Sequence, residues 1–249
     1  MKHIAKTRPR RLLTALASLA SSMRRTIAGR TAGYAGHRHS RTGMGQTTRS
    51  MRASTVASRL ALVPAHPDHF DWILRTLRAG AADGSFDAEL GTDSLPSRLF
   101  FENLRRALQT GYFVEEGKGE GPAQVPASGY VLVLTKGTQA ALPLGFALFK
   151  SIGGLGFELW LVAVDRRYRG KGFCKAMLQA ALATPAGMLA HVARVNRAGR
   201  DCEAMGKALG AAGYRHERDG PDVRWFVRHD APQALVRLVR AGGNRLAET

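Results

Sequence analysis

FELWLVAVDRRYRGKGFCKAMLQAAL, residues 157–182, governs how the rest of the chain is read. Its first eight residues, Phe157 to Val164, are an apolar run of strand length. Four Arg or Lys residues and two glycines then crowd into the seven positions from Arg166 to Gly172. A long apolar helix pattern follows, from about 172 to 183. Strand, glycine-rich turn and helix start together suit a phosphate. The first backbone N–H groups of a helix converge on one point, and its dipole favours negative charge there. Glycines at 170 and 172 remove Cβ atoms that would block close approach. Arg167, Arg169 and Lys171 add mobile positive charge around the site. The plainer alternative is a basic turn capping an ordinary helix.

Working outward, Tyr130 to Thr135 (YVLVLT) and Leu144 to Ser151 (LGFALFKS) read as strands. With 157–164 they form an antiparallel meander joined by short turns such as Ile152-Gly-Gly-Leu-Gly156. Gly187 to Val195 reads as a further strand, and a crossover helix between two strands implies a parallel pair. Towards the N-terminus, Ser58 to Pro64 reads as a strand. A helix follows from Asp68 to Arg78, with Phe70, Ile73, Leu74 and Leu77 at helical spacing. Gly80 to Thr92 reads as a loop. Ser94 to Gln109 reads as a helix with Pro96 in its first turn, burying Leu99, Phe100, Leu104 and Leu108. Gly117 to Ser128 reads as a flexible insertion. Past the parallel junction come a helix over Asp201–Ala212, a hairpin from Tyr214 to Arg228, and an amphipathic helix in the last twenty residues. The fold class is therefore α+β: a mixed, mostly antiparallel sheet with one parallel junction.

The formal net charge is +18, but it is concentrated. Residues 1–59 hold 13 Arg or Lys and no acid, whereas 60–249 hold 24 against 19 Asp or Glu. Residues 1–57 carry few large apolar side chains and read as a disordered basic arm. Three roles compete for it: a solvated extension, an organelle transit peptide, or an arm that meets nucleic acid through phosphates. Residues 58–229 make the domain, and 230–249 a C-terminal helical extension. Two cysteines, Cys174 and Cys202, supply neither a disulfide framework nor a metal cluster, so no metal is expected. No apolar run reaches about 18 residues, so no membrane span is expected. A cytoplasmic location is the default.

The order of elements and the turn together resemble the GNAT superfamily of CoA-dependent N-acetyltransferases, over residues 58–229. The family signature is Arg/Gln-x-x-Gly-x-Gly/Ala. Arg169-Gly-Lys-Gly172-Phe-Cys174 departs from it only at the last position, and Arg167-Tyr-Arg-Gly170-Lys-Gly172 fits throughout. Gly213-Tyr214 is similar to the family's Gly-Phe before its last hairpin. The resemblance implies that Arg169, Gly170, Lys171, Gly172, Phe173 and Cys174 wrap the CoA pyrophosphate. It implies that backbone groups of Leu161, Val162, Ala163 and Val164 pair with the pantetheine arm, where two parallel strands, 157–164 and 188–195, splay in a V. Asn196 either caps the next turn or contacts the cofactor. Acetyl-CoA, or another short acyl-CoA, is the implied cosubstrate, an amine-bearing acceptor the second partner, and a homodimer a compatible assembly. A dinucleotide fingerprint fits less well, because G-x-G-x-x-G in an early βαβ unit is missing. A Walker A loop is ruled out by sequence.

The implied chemistry needs a base for the amine, a donor for the oxyanion and an exit for the thiolate. Glu158 is the candidate base. Strand alternation sets it on one face with Trp160 and Val162, and an apolar neighbour such as Trp160 raises a carboxylate's pKa; the alternative is a solvent-facing carboxylate. The backbone N–H of Val164, or a neighbour, is the implied oxyanion donor. Many members carry a tyrosine four residues before the Gly-Phe; here that position is Leu209. This departure motivates a second reading, an acyl-CoA binder without turnover. A third is a nucleic-acid-binding protein acting through the basic arm. His191 is either a proton carrier or a structural histidine. Cys174, near a helix start, has a position that lowers a thiol pKa, though small-residue packing suits it better. Asp83, Asp87, Glu89 and Asp93 form an acidic loop that would attract a cationic acceptor.

Overall fold

Eight strands build one sheet in the order β1-β3-β4-β5-β6-β8-β7, with β2 paired to the outer part of β3. The strands are β1 (Ser58–Pro64), β2 (Tyr112–Gly117), β3 (Gly121–Lys136), β4 (Leu142–Ser151), β5 (Phe157–Val164), β6 (Ala190–Asn196), β7 (Tyr214–Asp219) and β8 (Val223–Arg228). The helices are α1 (Phe70–Ala82), α2 (Leu95–Thr110), α3 (Phe173–Leu182), α4 (Pro185–Met188), α5 (Cys202–Ala211) and α6 (Gln233–Arg240). This computed structural model describes residues 58–117, 121–136, 140–197 and 199–242. The expected basic arm at 1–57 lies outside the described residues. Every pairing is antiparallel except β5 with β6, as the crossover through α3 requires.

Alternating side chains divide the core between the sheet's two faces. On one, Phe70, Ile73 and Leu77 of α1 and Phe101 and Leu104 of α2 pack on Val131, Phe146, Leu148, Leu161 and Ala163. On the other, Leu178 and Ala181 of α3 and Leu209 of α5 pack on Ala147, Phe149, Leu159 and Phe226. Each fully buried side chain of this size contributes about 1.5–3 kcal/mol. The α6 helix sets Leu235, Val236 and Val239 against Val192, Trp225 and Val227, so the C-terminal helix is packed against the domain's own sheet.

Several expectations change. The stretch 117–128, read as a flexible insertion, is strand from Gly121 onward. It pairs with an unforeseen strand, β2, in the register Tyr112↔Pro126 to Gly117↔Gly121. Its Gly and Pro content suits this edge, where Pro122 and Pro126 face a hairpin and not a central ladder. The α2 helix starts as read, with Ser94 accepting from the Ser97 N–H, but its buried stripe is Ser97, Phe101, Leu104 and Ala107. Leu99 is exposed. Gly187 and Met188 belong to the short helix α4, not to the strand that follows. The loop after α1 contains a one-turn 3-10 helix at Ala88–Gly91.

Candidate active site

The site lies where β5 and β6 part. Their pairing runs Phe157↔Ala190, Glu158↔Val192, Leu159↔Ala193 and stops, although β5 continues to Val164 and β6 to Asn196. A bulge sits at the parting point. Towards β4, Leu148 pairs with Leu161 and Phe149 with Leu159, so Trp160 is the extra residue. A bulge increases local twist and resets alternation. Glu158 and Trp160 do share a face, as expected, but Val162 does not join them. It packs with the opposite cluster, beside Leu159 and Leu178.

Beyond the bulge the fork holds a cavity of about 610 Å³. Leu161, Val162, Ala163 and Val164 line it from β5, Arg169, Gly170, Gly172, Phe173 and Cys174 from the turn and α3, and Asn196 from β6. Of the residues expected to hold the cofactor, Lys171 alone does not line it. The Asp165 N–H donates to the Leu144 carbonyl at 2.8 Å. Strand alternation then turns the backbone groups of Val164 and Val162 towards the fork. The Val164 carbonyl accepts from Arg169 Nε at 3.2 Å on that side.

The turn itself is shaped by two left-handed glycines, Gly170 (φ 74°) and Gly172 (φ 80°), a conformation that L side chains rarely adopt. An added Cβ at either would meet no protein atom within 4 Å, so both backbones face open space. Gly172 is the N-cap of α3 and no side chain caps it. The first N–H groups of that helix are thus available to a ligand.

The expected mobile cations are not all mobile. Arg169 Nη1 bonds Asp83 Oδ2 at 2.8 Å and Asp201 Oδ2 at 2.9 Å, tying the turn to the α1 exit and the α5 start. Burial pushes the Asp83 carboxyl up, but hydrogen bonds from Ser85 and Arg169 outweigh it and leave it below its ordinary value. Arg167 is held by Asp165 at 2.8 Å, in an exposed pair. Lys171 is exposed, its ammonium 5.5 Å from the Tyr168 ring. Burial pushes the Cys174 thiol up to about 11, against the lowering that a helix start would give, and its side chain packs on the core beneath the turn.

A second cavity, about 480 Å³, opens beside the fork. Glu158 lines it and is only 4% exposed. Both of its oxygens accept from Arg194, Oε1 from Nε at 2.5 Å and Oε2 from Nη2 at 3.0 Å. This pair joins the two strands at the parting point: Glu158 lies within the paired stretch of β5, and Arg194 lies one step past Ala193, the last paired residue of β6. Trp160 forms the floor, stacked edge-on against Phe113 at 4.6 Å and Phe100 at 5.6 Å. Phe86, Asp87, Trp160, Leu161, Arg194, Asn196 and Val223 line both cavities, so the two meet there. Val164 lines the first cavity alone.

The acidic loop divides. Asp87 and Glu89 line the second cavity, whereas Asp83 holds Arg169 and Asp93 holds Arg78 at 2.7 Å. His191 lines neither cavity, and its Nδ1 lies 3.6 Å from Asp230. Leu209 lines the first cavity, where a family tyrosine was expected. The nearby Tyr214 hydroxyl donates to the Ala190 carbonyl at 2.6 Å and its pKa is raised by burial, so it does not replace that tyrosine. Sequence reading missed Arg194 and Ser97. A charged residue in the middle of an otherwise apolar inner strand was the available signal for the first. Among the described residues, no group of three or more His, Cys, Asp or Glu could hold a metal ion, and no helix is long and apolar enough to cross a membrane.

Residues 100–201 match the model of the acetyltransferase (GNAT) family. No curated protein matches the chain. Similar solved structures include an acetyltransferase from Thermus thermophilus (22% identity, 68% of this chain and 96% of that one, TM-score 0.43). Another is the PaiA N-acetyltransferase of Thermoplasma acidophilum in complex with coenzyme A (14% identity, 69% and 99%, TM-score 0.43). A third is the spermidine N-acetyltransferase of Vibrio cholerae in complex with CoA and spermine (13% identity, 67% and 93%, TM-score 0.43).

Proposed function

We propose, from the premise that residues 100–201 belong to the acetyltransferase (GNAT) family, that the protein moves an acetyl group from acetyl-CoA to a primary amine by direct transfer. The observation that carries this reading is the fork: a cavity of about 610 Å³ opens where β5 and β6 part, and it ends at an uncapped helix start flanked by two left-handed glycines. A pyrophosphate fits the α3 N–H groups between Gly170 and Cys174, with Arg169 beside it and Lys171 at its rim. The fork-facing backbone of Val162 and Val164 fits the amides of a pantetheine arm, as an added strand would pair.

Transfer then takes place where the two cavities meet. The amine nitrogen attacks the thioester carbonyl carbon, the C–N bond forms, and the C–S bond breaks to release the thiolate. The Val164 N–H is the donor the resemblance implies for the oxyanion. This N–H belongs to the fork-facing backbone set with that of Val162, which supports that role. Glu158 takes the amine proton. Each of its oxygens accepts one bond from Arg194, which leaves a lone pair on each to receive the proton. The thiolate leaves without a tyrosine acid, because a thiol pKa near 8.5 makes it a stable anion close to neutral pH.

Release of CoA from acetyl-CoA across a panel of primary amines tests this with the full-length protein. Glu158→Gln should lower kcat by about a hundredfold while moving the KM for acetyl-CoA less than about threefold. Leu209 favours a second reading, acyl-CoA binding without turnover. Tight acetyl-CoA binding with no CoA release for any amine would establish that one instead.

A further inference from the structure

We propose that the cavity of about 480 Å³ takes an amine carried on an aromatic body, with a hydroxyl or carbonyl group remote from the nitrogen. This names the acceptor class for the transfer proposed above and rests on that reading. Its walls are Phe86, Phe100 and Trp160, which suit a flat apolar body and not a hydrated polyamine chain. Asp87 and Glu89 line the same cavity and favour a cation entering it.

Ser97 adds the specific feature. It is 1% exposed, lines this cavity, and its Oγ has no hydrogen-bond partner among the described residues. Its N–H is occupied by the Ser94 hydroxyl, so the helix cap leaves Oγ unused. A buried hydroxyl without a partner is unfavourable, and a ligand that supplies one is selected over its analogue that does not. Ser97 lines only this cavity and not the fork cavity, so it meets the acceptor's body and not the nitrogen that reacts at the junction. The acceptor therefore carries a second polar group.

Calorimetric titration of the full-length protein with tyramine, 2-phenylethylamine and spermidine, each with and without CoA, tests this. The two arylamines are expected to bind, tyramine about three- to tenfold more tightly than 2-phenylethylamine, and spermidine weakest. Ser97→Ala should abolish the tyramine preference while leaving 2-phenylethylamine affinity within about twofold. Ser97→Thr keeps the hydroxyl and should retain the preference. Equal affinities in the unmodified protein, an undiminished preference in Ser97→Ala, or tighter binding of spermidine each overturn the assignment. The two readings fail separately. Arylamine binding with no CoA release removes the transfer and keeps the pocket, whereas CoA release with spermidine alone removes the pocket and keeps the transfer.

Discussion

The fork cavity takes one wall from a single continuous stretch of chain, Leu161 to Cys174, strand and then turn and then helix start, and its other walls from β6, α5 and the loop at 85–87. The second cavity draws Phe86, Ser97, Phe100, Trp160 and Arg194 from four separate parts of the fold. The Leu161 to Cys174 stretch presents backbone to the first cavity: fork-facing strand groups and uncapped helix N–H groups, shaped by Gly170 and Gly172. The second presents side chains. A backbone cradle depends on a few φ angles and tolerates varied neighbours, whereas a side-chain pocket can be altered one wall at a time. On the proposed function, one fold can thus keep a constant donor seat and change its acceptor.

The sharpest break of that contrast is Gly172→Glu. A residue with a side chain at φ 80° is strained by about 1–2 kcal/mol, and its carboxylate would stand at the seat of an anion. Acetyl-CoA affinity should fall at least about a hundredfold, whereas tyramine affinity measured by calorimetry should stay within about twofold. Loss of both would mean that the two cavities are one cooperative unit.

Arg194 is one of the side chains the two regions share, and it holds Glu158. Arg194→Ala leaves Glu158 buried without its partner. Removing one member of a buried pair costs about 3–5 kcal/mol; here about 2 kcal/mol is expected, because the Arg194 side chain stays 38% exposed. For a domain of this size that corresponds to a fall of about 4–8 °C in Tm. Both ligands should bind more weakly, since Arg194 lines both cavities. Adding Glu158→Gln should recover most of the lost Tm, and a thermal-melt double-mutant cycle measures the coupling.

The same contrast explains what could be read from the sequence. The strand, turn and helix start of the fork were legible because their determinants are local: an apolar strand, glycines at fixed spacing, a helix pattern. The meander and the parallel junction followed from strand length and a crossover. The bulge at Trp160 was not legible, because a bulge is a difference between two strands' registers and leaves no mark in one strand's composition. That one residue moved Val162 to the other face. The Glu158–Arg194 pair was hidden for a similar reason: 36 positions separate the partners, and only the sheet order joins them. The strand from Gly121 was missed because glycine and proline signal a loop unless a partner strand lies alongside. Ser97 looked like ordinary helix-start chemistry, and its bond-free hydroxyl is a property of packing.

The smallest expected effect tests whether the donor seat depends on backbone alone. Asp83 holds Arg169 against the turn, and although burial raises its carboxyl, the Ser85 and Arg169 hydrogen bonds bring it below the ordinary carboxylate value. A group whose folded pKa is depressed stabilises the fold above its unfolded pKa, near 4, and loses that contribution as pH falls through the lower folded value. Asp83→Asn should therefore lower Tm by about 1–3 °C at pH 7, and the difference should shrink to nothing as the pH is taken below 3. Acetyl-CoA affinity at pH 7 should change less than about threefold, since Asp201 still holds the same guanidinium nitrogen. A loss comparable to that of Gly172→Glu would show instead that the cradle is set by Arg169 and its two carboxylates, and that the glycines only permit what this ion cluster holds in shape.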